Sequence, residues 1–338
     1  MRRLERVCSA EAFMSIPSVI RIGAVRPSFV FSRVLGALLV AALLAAMVAP
    51  APALACACGC GVFDVGTGAM FPNGAGGLFY LEEDFMDQNT NWSGTSQASP
   101  DNNGDKEIRT AFYTAGMQYM LNRSWGLSVD VPYWSRRFTT ADPDTGEVQT
   151  FNHSALGDVR IRGLYTGFSA DMSSGVTFGL KLPTGDSRYA NFDPDTEIGT
   201  GSTDLLLGGY HQGKLTDDGR LSYFVRAQAQ LPVLIKSSYH PGEEFVGVVG
   251  AYYHGAMSGS MMVVPLLQLT AAYRAHDGGA LGDPKDSGYT RLVLAPGVEV
   301  DAGKTRVYLE AGFAVYNNMT GNQLVARQLY KLSISYAL

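Results

Sequence analysis

"YKLSISYAL", residues 330–338, alternates apolar and small or polar side chains up to its final residue. Successive side chains of an extended chain point to opposite faces. Tyr330, Leu332, Ile334, Tyr336 and Leu338 therefore share one face, and Lys331, Ser333, Ser335 and Ala337 the other. Such a strand needs apolar cover on one side only, which either a sandwich core or a lipid bilayer supplies.

Outward from this stretch the same alternation recurs in segments of about ten residues, the length at which a tilted strand crosses a membrane. They fall at about 304–317, 288–301, 261–275, 244–257, 219–233, 203–215, 174–183, 156–169, 124–138, 107–121 and 77–87. With the terminal stretch they make about twelve, and single-chain bacterial barrels carry even numbers. The connections alternate in length. Short ones lie at 121–124, 169–174, 215–219, 257–260 and 301–304, and long ones around 88–106, 139–155, 184–202, 234–243, 276–287 and 318–326. Short periplasmic turns and longer external loops are the pattern of outer-membrane barrels. The reading is an all-β, antiparallel transmembrane barrel with both ends on the periplasmic side. Trp125 at one end of its strand, with Tyr133 and Trp134 towards the other, suits two aromatic girdles. A terminal strand with an aromatic, apolar stripe is also the form in which barrel-assembly machinery receives its clients, although Leu338 stands where phenylalanine is usual.

The N-terminal region agrees with export. Arginines precede the apolar run Val34–Pro50, and "APALA" follows. This is the order of a secretory signal, so residues 1–55 read as a cleaved leader, 56–76 as a Cys/Gly-rich periplasmic segment and 77–338 as the barrel. Only 17% of the 338 residues are charged, 39 are glycine and 17 tyrosine, and the net charge of −5 speaks against nucleic acid as a partner.

If the apolar stripe faces lipid, the opposite face lists the lumen: Glu82, Asp84, Arg109, Asp130, Asp158, Arg160, Arg162, Lys181, Asp204, Arg226, Arg274, Arg306, Glu310 and Lys331, with Gln228, Gln230, Tyr308 and Tyr316 among them. A lining of mixed sign is not that of a porin selecting one charge. It reads either as a structural network filling a narrow bore or as a polar ladder guiding a solute.

"GDVRIRGLYTG" (157–167), "GLKLPTGD" (179–186), "GTGSTDLLLGGYHQG" (199–213) and "LAPGVEV" (294–300) resemble, in order and spacing, the outer-membrane transporter family named for the MetA pathway of phenol degradation. The resemblance covers residues 107–338. It implies a barrel importing aromatic or other hydrophobic compounds, distantly like the long-chain fatty-acid channels. The residues themselves read as folding punctuation: Gly185, Gly199 and Gly201 for turns, and Pro183 where a strand leaves its ladder.

Other chemistry is sparse. His153 precedes Ser154, but neighbours on a strand face opposite ways, and no enzyme is expected. Acidic loop groups (Asp101, Asp105 and Glu107; Asp142, Asp144 and Glu147; Asp193, Asp195 and Glu197) have the oxygen ligands that suit calcium, which would bridge the external face to lipopolysaccharide. In "ACACGCG", Cys56, Cys58 and Cys60 alternate. Three thiols on one face suit a soft ion, Cu or Zn; a disulfide and a lipid anchor are weaker readings, and the segment reads as plug or tether. The expected function is passive passage of small, hydrophobic or aromatic solutes, with a metal-binding or partner-docking N-terminal segment as the alternative.

Overall fold

The computed structural model of the chain describes residues 55–56, 71–72, 74–142, 144–235, 238–258 and 261–338. The expected leader, Cys58 and Cys60 lie outside the described residues.

The strands are β1 (Gly76–Gly94), β2 (Asp105–Met120), β3 (Trp125–Ala141), β4 (Val148–Leu156), β5 (Arg160–Tyr165), β6 (Ser174–Lys181), β7 (Ser202–Lys214), β8 (Leu221–Ile235), β9 (Glu244–Tyr253), β10 (Met261–Arg274), β11 (Tyr289–Ala302) and β12 (Thr305–Ala337). Each pairs antiparallel with its sequence neighbour, except that β4 and β5 divide one position in the ring: β4 pairs with the outer half of β3 and β5 with its inner half. Pairing of β12 with β1 closes the barrel. No helix among the described residues is long and apolar enough to cross a membrane; the crossing is made by strands.

β12 is continuous over 33 residues but doubles back. Its first half pairs with β11 and its second half with β1. The Ala337 N–H donates to the Lys304 carbonyl at 2.7 Å, and Gly321 takes φ +65° at the bend, a conformation open to glycine. With β4 and β5 taken together, eleven continuous strands close the ring where about twelve were expected; β12 crosses twice, its halves joined by a tight hairpin in place of the loop expected at 318–326. The loops expected at 88–106 and 139–155 are also shorter, because β1 runs on to Gly94 and β3 and β4 extend as a hairpin.

Alternation sets the faces as expected in the terminal strand. Tyr330, Ile334 and Tyr336 are exposed to the lipid side, while Lys331, Ser333 and Ser335 are buried on the lumen side. Trp125 lies on the outer face at the periplasmic end, its ring 4.7 Å from that of Tyr165. Trp134 does not join the opposite girdle. It points inward, edge-on to Phe112 at 4.7 Å, and its neighbour Tyr133 takes the outer face. Tyr316 departs from the lumen list for a different reason: the register shifts between Leu292 and Val293, and Val315 and Tyr316 both face outward, as a bulge requires.

The backbone of Cys56 pairs with Val325, and Phe71 packs 5.1 Å from Tyr210 and 5.5 Å from Phe224 among inward-facing side chains.

Candidate lumen site

The long connection 182–201 does not stand out in solvent; it folds into the barrel. Ile198, 1% exposed, packs against Met86, Phe112 and Trp134 on one wall and Val293, Ala314 and Leu329 on the other. Phe192 joins Ile108, Phe138 and Leu324, with its ring 5.4 Å from Phe138. Tyr189 stacks on His153 at 3.8 Å and accepts the Ile198 N–H at 2.8 Å. Buried Arg136 donates to the carbonyls of Thr196 and Glu197 and, at 2.9 Å, to the Thr110 hydroxyl.

The base of this loop is built from the glycine- and aspartate-bearing strings quoted above. Asp158 accepts from the Gly185 N–H at 2.9 Å, the Thr200 N–H at 3.0 Å and the Thr200 hydroxyl at 2.8 Å. Thr184 Oγ1 accepts from the Val159 N–H at 2.9 Å. Lys181 lies 2.7 Å from Asp204 and 3.4 Å from Asp158, all three buried. Gly185 and Gly199 meet so closely that a Cβ on Gly199 would stand 2.5 Å from Gly185 backbone atoms. The two ends of the loop are thus clamped together by residues that no larger side chain could replace at the contact.

Beneath the loop lies a cavity of about 150 Å³. Tyr80, Phe112, Trp134 and Tyr210 give it an aromatic wall, and Phe71 and Pro72 also line it. Eight of the expected ladder residues reach it: Glu82, Asp84, Asp130, Asp158, Arg160, Arg162, Lys181 and Arg226. Most are tied to one another. Arg162 donates to Asp130, which also accepts from the Tyr80 hydroxyl. Lys331 holds Glu82 at 2.7 Å and Asp84 at 3.3 Å across the closing seam. Glu310 accepts from Tyr308 and Gln268.

The other ladder residues stand elsewhere. Arg274 is in the external mouth, bonded to Asp277 at 2.6 Å and to Tyr239 at 3.2 Å. Arg306 pairs with Asp301 beside the last periplasmic turn at 3.1 Å. Arg109 is on the outside of the barrel, paired with Asp87 at 3.2 Å and Glu107 at 2.9 Å. The pattern inverts there because Ile108 and Phe112 turn inward to meet the loop and its apolar neighbours. Once the lumen is filled by Ile198 and Phe192, an apolar stripe no longer identifies the lipid side. The sequence places a long connection at 184–202 but its inward fold was not expected; the large apolar residues Tyr189, Phe192 and Ile198, set among mostly polar ones, are its signal.

His153 bonds Asp186 at 2.8 Å, while Ser154 bonds Ser135 at 2.9 Å on the other face. The pair is not assembled as nucleophile and base. Among the described residues no three His, Cys, Asp or Glu side chains come together to hold a metal ion. In the inward loop, burial and then the charges of Asp193, Asp277 and Asp105 push the Asp195 carboxyl up to about 7, with Arg274 opposing.

No protein-family model matches the chain. No curated protein matches it. Solved structures do. An outer-membrane channel from Pseudomonas putida F1 aligns over 81% of this chain and 100% of its own, with TM-score 0.60 at 12% identity. The β domain of the Bordetella autotransporter BrkA aligns over 78% and 100%, with TM-score 0.46 at 13% identity. The monoaromatic hydrocarbon channel CymD aligns over 82% and 94%, with TM-score 0.41 at 10% identity. The likeness to the first establishes the architecture: the chain folds as a bacterial outer-membrane β-barrel.

Proposed function

We propose that this barrel is a passive channel for small hydrophobic or aromatic solutes that carry a polar group. The observation that carries the reading is the mid-lumen cavity, aromatic along Tyr80, Phe112 and Trp134 and charged along Arg160, Arg162 and Lys181, lying beneath an inward-folded external loop. Largely apolar pockets with a few placed polar groups are the usual form of a small-molecule site. The fold likeness to an outer-membrane channel supports the same reading, as does the resemblance to the phenol-degradation transporter family. Passage is by diffusion past the loop, through the cavity and out at the periplasmic end, with no covalent step. The exposed aromatics of the outer face meet outer-membrane lipid, with lipopolysaccharide around the external half, and the terminal strand serves the assembly machinery.

The test is uptake of radiolabelled phenol, against glucose as control, by porin-poor cells carrying the wild type or the double variant Tyr80→Ala, Tyr210→Ala, two cavity aromatics that do not pack against the loop. The expected result is accelerated phenol uptake that the double variant reduces several-fold, with glucose unaffected. Uptake equal to that of cells lacking the barrel would dismiss the reading.

A further inference from the structure

Arg291 is fully buried on the inner face of β11. Its Nη2 donates to the Tyr289 hydroxyl at 3.0 Å, and its guanidinium lies 4.3 Å from the centre of the Tyr289 ring. Its Nε and Nη1 have no hydrogen-bond partner. The Tyr289 hydroxyl donates in turn to Glu244 at 3.0 Å, so that carboxylate reaches the arginine only through the phenol. Asn317, directly across the ladder from Arg291, is 5% exposed, and its Oδ1 is also without a partner. This differs from Lys181, Lys331, Arg162 and Arg274, which each hold a carboxylate, and from Arg136, which is bonded to the carbonyls of the inward loop.

A guanidinium stays charged under all ordinary conditions, and burying a charge without a counter-ion is costly. Open donors at two edges of a planar cation form a half-built site for an oxyanion; Asn317 Oδ1, itself an acceptor, leaves those donors to the ligand. Its surroundings set the rest of the ligand. Tyr289 belongs to one apolar cluster with Met319 and Val325, and Val293, the next inward residue beyond Arg291, belongs to another with Leu329 and Ile198 of the inward loop. An ion that is hydrated all round does not suit such walls; an apolar body carrying one carboxylate does.

We infer that Arg291, held in place by Tyr289, is a carboxylate-binding point in the outer half of the lumen, and that the solutes this barrel takes include aryl or alkyl carboxylates. This rests on the channel reading for its physiological meaning, but binding itself requires no flux. The solute's carboxylate meets Arg291 where the inward loop contacts the wall, and its apolar part occupies the space the loop yields.

The experiment is calorimetric titration of the purified full-length barrel in detergent with benzoate and with its neutral isostere benzamide, on the wild type, Arg291→Gln and Arg291→Lys. Heat-modifiable gel migration verifies that each variant is folded. The wild type is expected to bind benzoate at least tenfold more tightly than benzamide. Arg291→Gln is expected to abolish that preference, and Arg291→Lys, which keeps the charge, to retain part of it. Equal binding of the two probes, absence of saturable benzoate binding, or an undiminished preference in Arg291→Gln overturns the assignment. If Arg291→Gln does not fold, loss of most of the preference in Arg291→Lys decides for it and an unchanged preference against it. Benzoate preference without solute uptake by cells would remove the channel and leave the site; uptake of both probes alike, independent of Arg291, would do the reverse.

Discussion

Asp158 carries more of the architecture than any other single side chain in the lumen. It accepts three hydrogen bonds from Gly185 and Thr200 and faces Lys181, so it joins both ends of the inward loop to the barrel wall. Asp158→Asn keeps the shape but weakens charge-assisted bonds in a buried place; the expected loss is about 1–3 kcal/mol of barrel stability, measured by urea unfolding in detergent. Arg162→Ala leaves Asp130 with the Tyr80 hydroxyl as its remaining partner, and is expected to cost about 3–5 kcal/mol, the range for breaking a buried pair. Arg109→Ala supplies the contrast. Its pairs are on the outer surface and partly solvated, so the loss should stay below about 1 kcal/mol and phenol uptake should not change. An effect of Arg109→Ala on uptake equal to that of Arg162→Ala would place it in the lumen after all.

Among the elements, the loop 182–201 decides whether the barrel is open. Its hold combines a few apolar contacts with the Arg136 bonds to the Thr196 and Glu197 carbonyls; Ile198→Ala, which empties a fully buried position between two walls, should cost about 2–4 kcal/mol and raise ion conductance in planar bilayers. The docking also depends on pH. Asp195 has its carboxyl raised to about 7 by burial and by Asp193, Asp277 and Asp105. A raised acid binds its proton more tightly in the docked state, so its share of docking free energy is fully present below the ordinary carboxylate range and is lost as pH rises through about 7. Conductance should therefore be higher at pH 8 than at pH 5, and Asp195→Asn should flatten the dependence. A wild type more open at pH 5 would reverse the sign and refute this account of the loop. The elements differ in how legible they were. β12 announces itself because lipid and lumen impose opposite polarity on alternate residues. The loop does not, because its apolar side chains serve irregular contacts and follow no period.

At the scale of the whole molecule, the crossings, their antiparallel order and the short periplasmic turns could be read from period and spacing, since these are dictated by the bilayer and by hydrogen-bond closure, whereas three of the expected long connections are shortened by strand extension. What depends on packing against something distant in sequence could not. Arg109 and Trp134 were assigned to the wrong face because the upper lumen is filled by the loop and becomes apolar, and Tyr316 because a bulge at Val315 breaks the count. Eight of the expected ladder residues line the cavity, and their carboxylates and cations are largely engaged with each other, so the charged wall braces the lumen.

Planar-bilayer conductance of the wild type and of a variant with residues 187–198 replaced by a short Gly/Ser linker tests the central claim, a lumen occluded by its own external loop. The account predicts small, pH-dependent currents for the wild type and currents at least tenfold larger, without pH dependence, for the variant. A wild type that already conducts like an open pore, or a folded variant no more conductive than the wild type, would contradict it.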